Sequence, residues 1–444
     1  MRVRGSGRCW TLAAGSAVTA LVLILAAPAA AVDGSAGKVS KTRLDNGLTV
    51  LVRENPVAPV VAVSLMIRMG TRWETRDTAG ISNLLQLMVV RGTTSLSGIQ
   101  IVEQADRMGG SIDAVGDADF SEISATALAR FWVQVLGLVA DVALHPAVPE
   151  GTFGAVRDFL IRQIRNRGDR PYDVALDTMM ARIFGSNPYA WDRIGLKESL
   201  ERIDRSALLA HYQRHYVPGG MVLAVSGQVK APEVVAEVRR LFGAMAPGTV
   251  VAAAPPPPPA PVAGREVLTV PGAQAQVMMG NLAPAMTDPD FAATKVLATV
   301  LGGGMAGRFF SDLRDKQALA YSTGTDYPAR VDTSHFLARL GTAPANVARA
   351  EAALRGQLER IQQEPISDEE LRVAKAYLLG NLAMDRRTNA RQAWYIASYE
   401  AVGVGYEFLD RYIAQVRTVT AADVQRVARR YLAALRTVIV EPPR

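Results

Sequence analysis

A chain of 444 residues, 49% of them hydrophobic and 20% charged, is too long and too apolar for one core and suits two domains of roughly 200 residues each. That apolar content excludes a disordered protein, and a net charge of +7 without a basic run excludes nucleic-acid binding as the main task. The single cysteine, Cys9, excludes both a disulfide framework and a cysteine zinc site.

The N-terminus carries a processing signal. Arg2, Arg4 and Arg8 form a basic n-region, an apolar stretch runs from Leu12 to Leu25, and Pro28 precedes the small-residue run Ala29-Ala30-Ala31. This is the pattern of a secretory signal peptide with a cleavage site. The apolar stretch is shorter than the ~20 residues a membrane span prefers, so residues 1–31 are read as removed, leaving no stable span. Loss of the three arginines lowers the net charge from +7 to +4. The Ala/Arg-rich, bacterial composition places the mature chain in the periplasm.

The first domain is expected over residues 38–245. Asn46-Gly47 between Thr42-Arg43-Leu44 and Leu48–Val52 is a hairpin signal. Val60–Arg68 reads as a second strand, Thr78–Val90 as a long apolar helix and Phe120–Leu128 as another strand, with helices dominating from Phe131 to Asn166. His211 and His215, at i and i+4 in His-Tyr-Gln-Arg-His, raise the question of a metal pair. They have no obvious third ligand, and the segment reads as an amphipathic helix ahead of the strand Met221–Val225. His145 and His335 are isolated and structural in character.

Residues 246–264 contain five consecutive prolines, 255–259. Such a run lacks amide donors and favours an extended, semi-rigid spacer. The second domain, 265–444, echoes the first. Val148, Phe153 and Val156 after His145-Pro146 match Ile366, Leu371 and Ala374 after Glu364-Pro365. Leu208-Leu209, Tyr216 and the strand at Met221 match Val424, Val427, Tyr431 and the strand Thr437–Val440. This shared order points to duplication. Hairpin-linked strands with helices collected between them predict an α+β fold of two homologous domains, each a mainly antiparallel sheet with helices on one face.

The segment Gly80-Ile81-Ser82-Asn83-Leu84-Leu85-Gln86-Leu87-Met88-Val89-Val90-Arg91-Gly92-Thr93 resembles the helix that carries His-x-x-Glu-His in pitrilysin/insulinase-type (inverzincin) peptidases, with its following basic-Gly-Thr turn. Leu44–Leu48 and Met69-Gly70-Thr71-Arg72-Trp73-Glu74 extend the likeness upstream. The resemblance implies the mitochondrial-processing-peptidase-like metallohydrolase fold. It also exposes a loss. Two histidines at i and i+4 reach one zinc from one helix face, and the glutamate between them is the base on zinc-bound water. Carried over, the first ligand falls on Asn83, the base on Gln86, the second ligand on Leu87 and the third ligand on Gln163. Neutral amides are weak zinc donors, Leu87 has none, and catalytic zinc needs about three protein ligands. This chain is therefore expected to bind no metal or other cofactor and to be inactive alone. The helix should persist through Ile81, Leu84, Leu85 and Met88.

A second motif is kept. Leu301-Gly302-Gly303-Gly304, followed by Arg308-Phe309-Phe310-Ser311-Asp312-Leu313-Arg314 and Ala318-Leu319-Ala320-Tyr321, is similar to the family's glycine-rich turn and its Arg…Gly-Leu-Ala-Tyr segment. No Gly-Lys-Ser/Thr follows, which argues against a nucleotide loop. The resemblance makes Arg314 and Tyr321 the substrate-contacting pair, donors to the peptide backbone near the scissile carbonyl. Ala318 stands where the family prefers glycine. Some bacterial members divide the work between two chains, one with the zinc motif and one with the Arg/Tyr pair. The expectation is a non-catalytic but required subunit of a heterodimeric zinc metalloendopeptidase. A homologous zinc-bearing subunit would supply His-x-x-Glu-His, and short or unfolded peptides would be substrates. The competing reading is an inactive scaffold or peptide-binding protein of the same fold with no peptidase role.

Overall fold

The computed structural model describes residues 38–443; the expected signal segment lies outside them. The first half contains β1 (Val39–Arg43), β2 (Thr49–Glu54), β3 (Val60–Ile67), α1 (Ile81–Val89), α2 (Gly98–Arg107), β4 (Ser111–Gly116) and β5 (Ser121–Leu128). It continues through α3 (Trp132–Leu144), α4 (Glu150–Gly168), α5 (Pro171–Phe184), α6 (Lys197–Arg202), α7 (Arg205–His215), β6 (Met221–Gly227) and α8 (Ala231–Phe242). The second half contains β7 (Gly264–Thr269), β8 (Ala275–Ala283), α9 (Phe291–Gly302), a π-helical turn (Phe309–Lys316), β9 (Ser322–Asp326) and β10 (Ser334–Thr342). α10 (Val347–Gln363), α11 (Asp368–Asp385), α12 (Asn389–Ala401), α13 (Phe408–Thr418), α14 (Ala421–Tyr431) and β11 (Arg436–Glu441) complete it.

The sheets have the orders β1-β2-β6-β3-β5-β4 and β7-β11-β8-β10-β9. Without the extra hairpin strand β1, they share one topology: β2 corresponds to β7, β6 to β11, β3 to β8, β5 to β10 and β4 to β9. Only the corresponding pairs β2–β6 and β7–β11 are parallel; all other pairings are antiparallel. The duplication suggested by the paired motifs is therefore present in the strand order.

Period-2 alternation assigns each sheet two apolar faces. Val61, Val63, Leu65 and Ile67 of β3 pack with α1, α3 and α8 of the same half. In the second half, Val277 and Met279 of β8 pack with α9, α10 and α14. Each half thus collects its own helices on one face, as expected. The opposite face is also covered, by a helix from the other half. Ala393, Ile396, Ala397 and Ala401 of α12 pack on Leu51, Ala62, Met66 and Val222 of the first sheet. Ala175, Met179, Ile183 and Phe184 of α5 pack on Met278, Leu337, Val438 and Val440 of the second. The two halves exchange one helix each.

Polar contacts reinforce the exchange. Arg68 Nε donates to the Ala401 carbonyl at 2.7 Å, and Arg72 forms a two-pronged pair with Asp332 at 2.5 and 2.9 Å. The proline-rich segment is not a free spacer. Trp73 Nε1 donates to the Val251 carbonyl at 2.9 Å and Asn187 Nδ2 to the Pro256 carbonyl at 2.7 Å, so the connection lies against the first half.

Candidate functional site

Two places follow from the motifs: α1 with its supports, and the π-helical turn that leads into β9. α1 starts after Gly80, which adopts φ 92°. Its free amides are capped from upstream. Glu74, buried, accepts from the Gly80 amide at 2.8 Å and the Ser82 amide at 3.0 Å. A carboxylate suits a helix N-terminus because it meets both the orphan amides and the positive end of the dipole. Burial pushes the Glu74 carboxyl above its ordinary value, and those hydrogen bonds oppose the shift. In the sequence Glu74 stands out only within the string Met69–Glu74; an acid six residues ahead of the N-cap Gly80 lies outside the usual capping spacing.

Ile81, Leu84, Leu85 and Met88 are buried, as the core face required. Asn83 and Gln86 are buried as well, and Leu87 is half-buried. β4 presses close to this helix: a Cβ on Gly116 would lie 2.8 Å from the Asn83 Cα. Gln86 Nε2 donates to the Tyr216 hydroxyl at 2.9 Å. Gln163 is on α4, half-buried beside Arg167, Arg170 and Asp192 in a cleft of about 600 Å³. Arg167 already binds Asp177 at 2.5 Å and lies 3.4 and 3.5 Å from Asp173 and Asp192. The nearby carboxylates are thus engaged by a guanidinium. These four positions do not fit zinc: they offer neutral amides and one hydrocarbon, one amide being committed to a phenol.

α7 supports α1 from behind. His211 Nε2 and the Ser82 hydroxyl are 3.1 Å apart. His215 Nδ1 donates to the Arg68 carbonyl at 3.0 Å, which puts the proton on Nδ1. The two rings lie 4.4 Å apart between centroids. Burial, then His215 and Arg214, push the His211 imidazole down to about 3; burial also lowers His215. Among the described residues, no group of three or more His, Cys, Asp or Glu converges as a metal set. His335 is buried against Asp326, and His145 pairs with Asp141.

The second place is built differently. The segment after Arg308 winds as a π-helix with Phe309 and Leu313 buried. Widened turns of this kind are rare and recur at functional sites. Arg308 is fixed by two hydrogen bonds that it donates to the Glu370 carboxylate, at 2.7 and 3.2 Å. Asp312 accepts from Gln357 at 3.0 Å and Lys316 at 2.7 Å. Arg314 itself is exposed and rests on the Phe310 ring, 4.9 Å from its centroid.

The turn ends on Ala318 at φ 52°, with the Leu319 amide bonding to the Leu313 carbonyl and the Ala318 amide to the Arg314 carbonyl. This is the π-helical form of the left-handed helix ending that usually employs glycine. α2, at the equivalent place in the first half, ends the same way on Gly109 at φ 70°. Tyr321 then enters the second sheet, its amide bonded to the Gly341 carbonyl at 2.9 Å, and its side chain is 60% exposed. Among the described residues, neither the Arg314 guanidinium nor the Tyr321 hydroxyl has a hydrogen-bond partner. The two donors are seven positions apart in sequence, Arg314 on the π-helical turn and Tyr321 immediately before the edge strand β9.

Residues 49–195 match the family model described as insulinase (peptidase family M16), and residues 202–378 match peptidase M16 inactive domain. The chain belongs to peptidase family M16. An uncharacterized zinc protease of Rickettsia bellii is 24% identical over 409 residues, covering 90% of this chain and 97% of its own length. Another, from Mycobacterium leprae, is 27% identical over 401 residues and covers 90% of each chain. In fold, the M16 chain is similar to a peptidase M16 inactive domain from Pseudomonas fluorescens, with a TM-score of 0.85, 20% identity, and 92% and 99% of the two chains covered. A protease from Helicobacter pylori gives 0.85 at 21% identity, with 91% and 100% covered. Among the described residues, no helix is long and apolar enough to cross a membrane.

Proposed function

We propose that this M16 chain is the non-catalytic, substrate-contacting subunit of a heterodimeric zinc endopeptidase that acts on short or unfolded peptides in the periplasm. The observation that carries the reading is an asymmetry within one fold. α1 is intact and well capped, yet its zinc positions hold Asn83, Gln86 and Leu87. In the other half, Arg314 and Tyr321 stand exposed, without a side-chain hydrogen-bond partner among the described residues, on and just after a strained, well-braced turn. A scaffold has no use for two free donors held this way. In the proposed role, the Arg314 fork and the Tyr321 hydroxyl donate to a peptide carbonyl and to the negative charge that builds on it. The metal would come from a homologous chain with His-x-x-Glu-His.

The test is affinity capture of the tagged chain from its native periplasm, with quantification of what co-purifies. An equimolar M16 chain carrying His-x-x-Glu-His is expected. Recovery of this chain alone, stable and without such a partner, would leave a scaffold or peptide-binding role.

A further inference from the structure

α11 is poorly covered for a helix so rich in apolar residues. Of its eighteen residues only Ala374 is buried, while Tyr377 is 43% and Met384 56% exposed. Facing it is the glycine-rich turn after α9, whose Met305 is 77% exposed. Between the turn and the helix lies a pocket of about 220 Å³, walled by Val300, Ala306, Val373, Ala374 and Tyr377, with Glu369 and Glu370 among its lining. The positions 370, 373, 374 and 377 share one face of α11.

The turn joins this pocket to the Arg/Tyr pair. A Cβ on Gly302 would lie 2.5 Å from the Thr325 amide nitrogen of β9, and one on Gly304 would lie 2.8 Å from the Tyr377 hydroxyl. The glycines therefore let the chain fill the gap between β9 and α11 with backbone alone. Thr325 is four strand residues beyond Tyr321, about 13 Å. That is the reach of three or four residues of an extended peptide whose main chain is held at Tyr321.

We propose that the pocket between α9 and α11 is a side-chain subsite that receives one apolar side chain of an extended peptide. The inference rests on the substrate-contacting role of Arg314 and Tyr321 and adds to it a selection rule. At about 220 Å³ the pocket is below the ~300 Å³ at which small-molecule sites begin, so it suits one side chain. Its walls are mainly aliphatic and aromatic, and Met305, next in sequence to the lining residue Ala306 and 77% exposed, is a flexible surface that adapts to varied sequences. An acidic side chain would be desolvated there, with no cation among the lining residues and only the hydroxyls of Thr299 and Tyr377 as side-chain donors. The two carboxylates are already engaged, Glu370 by Arg308 and Glu369 by Arg372, and would oppose a third.

The experiment is fluorescence polarisation of the purified mature chain with labelled, unstructured ten-residue peptides that differ at one position, carrying Leu, Phe, Ser or Asp. Wild type is expected to bind the Leu and Phe peptides at least ten-fold tighter than the Asp peptide. Ala306→Leu, an exposed substitution that fills the mouth, and Val373→Asp, which charges the wall, should each reduce that preference to about two-fold or less. Arg314→Ala should weaken all four peptides evenly and keep the preference. Retention of the ten-fold preference in both pocket variants, or no peptide binding by wild type at millimolar concentration, would overturn the subsite. Loss of the preference in the pocket variants with no effect of Arg314→Ala would instead sustain the subsite and reject the donor role of Arg314.

Discussion

Ala318 departs from the pattern it otherwise follows, and the structure gives the departure a magnitude. At φ 52° its Cβ crowds the neighbouring backbone, a strain of roughly 1–2 kcal/mol for an L-residue. Ala318→Gly removes that strain but gives the unfolded chain more freedom, which offsets about 0.4–1 kcal/mol. The net effect expected is a gain of about 0.5–1 kcal/mol. With a urea m-value of about 3 kcal/mol/M or more for a chain this large, the unfolding midpoint should rise by roughly 0.2–0.3 M at unchanged slope. The first half supplies the mirror experiment. Gly109 adopts φ 70°, and a Cβ there would lie 3.1 Å from the Leu128 Cγ. Gly109→Ala should therefore lower the midpoint, by about 1–2 kcal/mol in stability. A midpoint that falls in Ala318→Gly, or does not move, would show that the residue is not held in the left-handed region and would remove the strain argument.

Other outcomes follow from the exchanged helices and the buried histidines. Phe184 is fully buried in α5 but packs on the second sheet. Phe184→Ala should destabilise by about 3–5 kcal/mol, with hydrogen-exchange protection lost in β8, β10 and β11 as well as α5; loss confined to first-half peptides would contradict the exchange. His211 is held neutral, its folded value of about 3 lying below the ordinary 6.5. The unfolded chain therefore binds a proton first as pH falls. Stability is full above about pH 6.5 and declines between 6.5 and 3. His211→Gln should flatten that decline in urea midpoints measured from pH 7 to 4.5; an unchanged slope would assign the acid sensitivity elsewhere.

Much of the fold is legible in the sequence because its signals are local. Asn46-Gly47 marks a hairpin, Val60–Ile67 is apolar at every position but Ser64, and the α1 core face can be counted by period. The degenerate metal positions come instead from the family resemblance: Asn83, Gln86 and Leu87 lie on α1 and Gln163 on α4, and none carries a ligand that spacing alone could pick out. The exchange of α5 and α12 is not legible. Ala393, Ile396 and Ala397 look like any apolar helix stripe, and which sheet they cover depends on packing across the whole chain. The docked linker is also hidden, since five prolines are equally compatible with a free spacer and with a strand of chain pinned by Trp73 and Asn187. Ala318 shows a different limit. Alanine carries no left-handed signal of its own, and only its place between Arg314 and Tyr321 hinted that a glycine-like conformation was required there.

The central claim is that Arg314 and Tyr321 act on the substrate, and one measurement meets it directly: kcat/KM of the co-purified two-chain complex with an unfolded peptide, for wild type, Arg314→Ala and Tyr321→Phe. Loss of one preorganised donor to developing charge is typically worth 10²–10³, so each variant is predicted to lose at least ten-fold, mainly in kcat, with the complex still assembled. An assembled variant complex with unchanged kcat/KM would contradict the account.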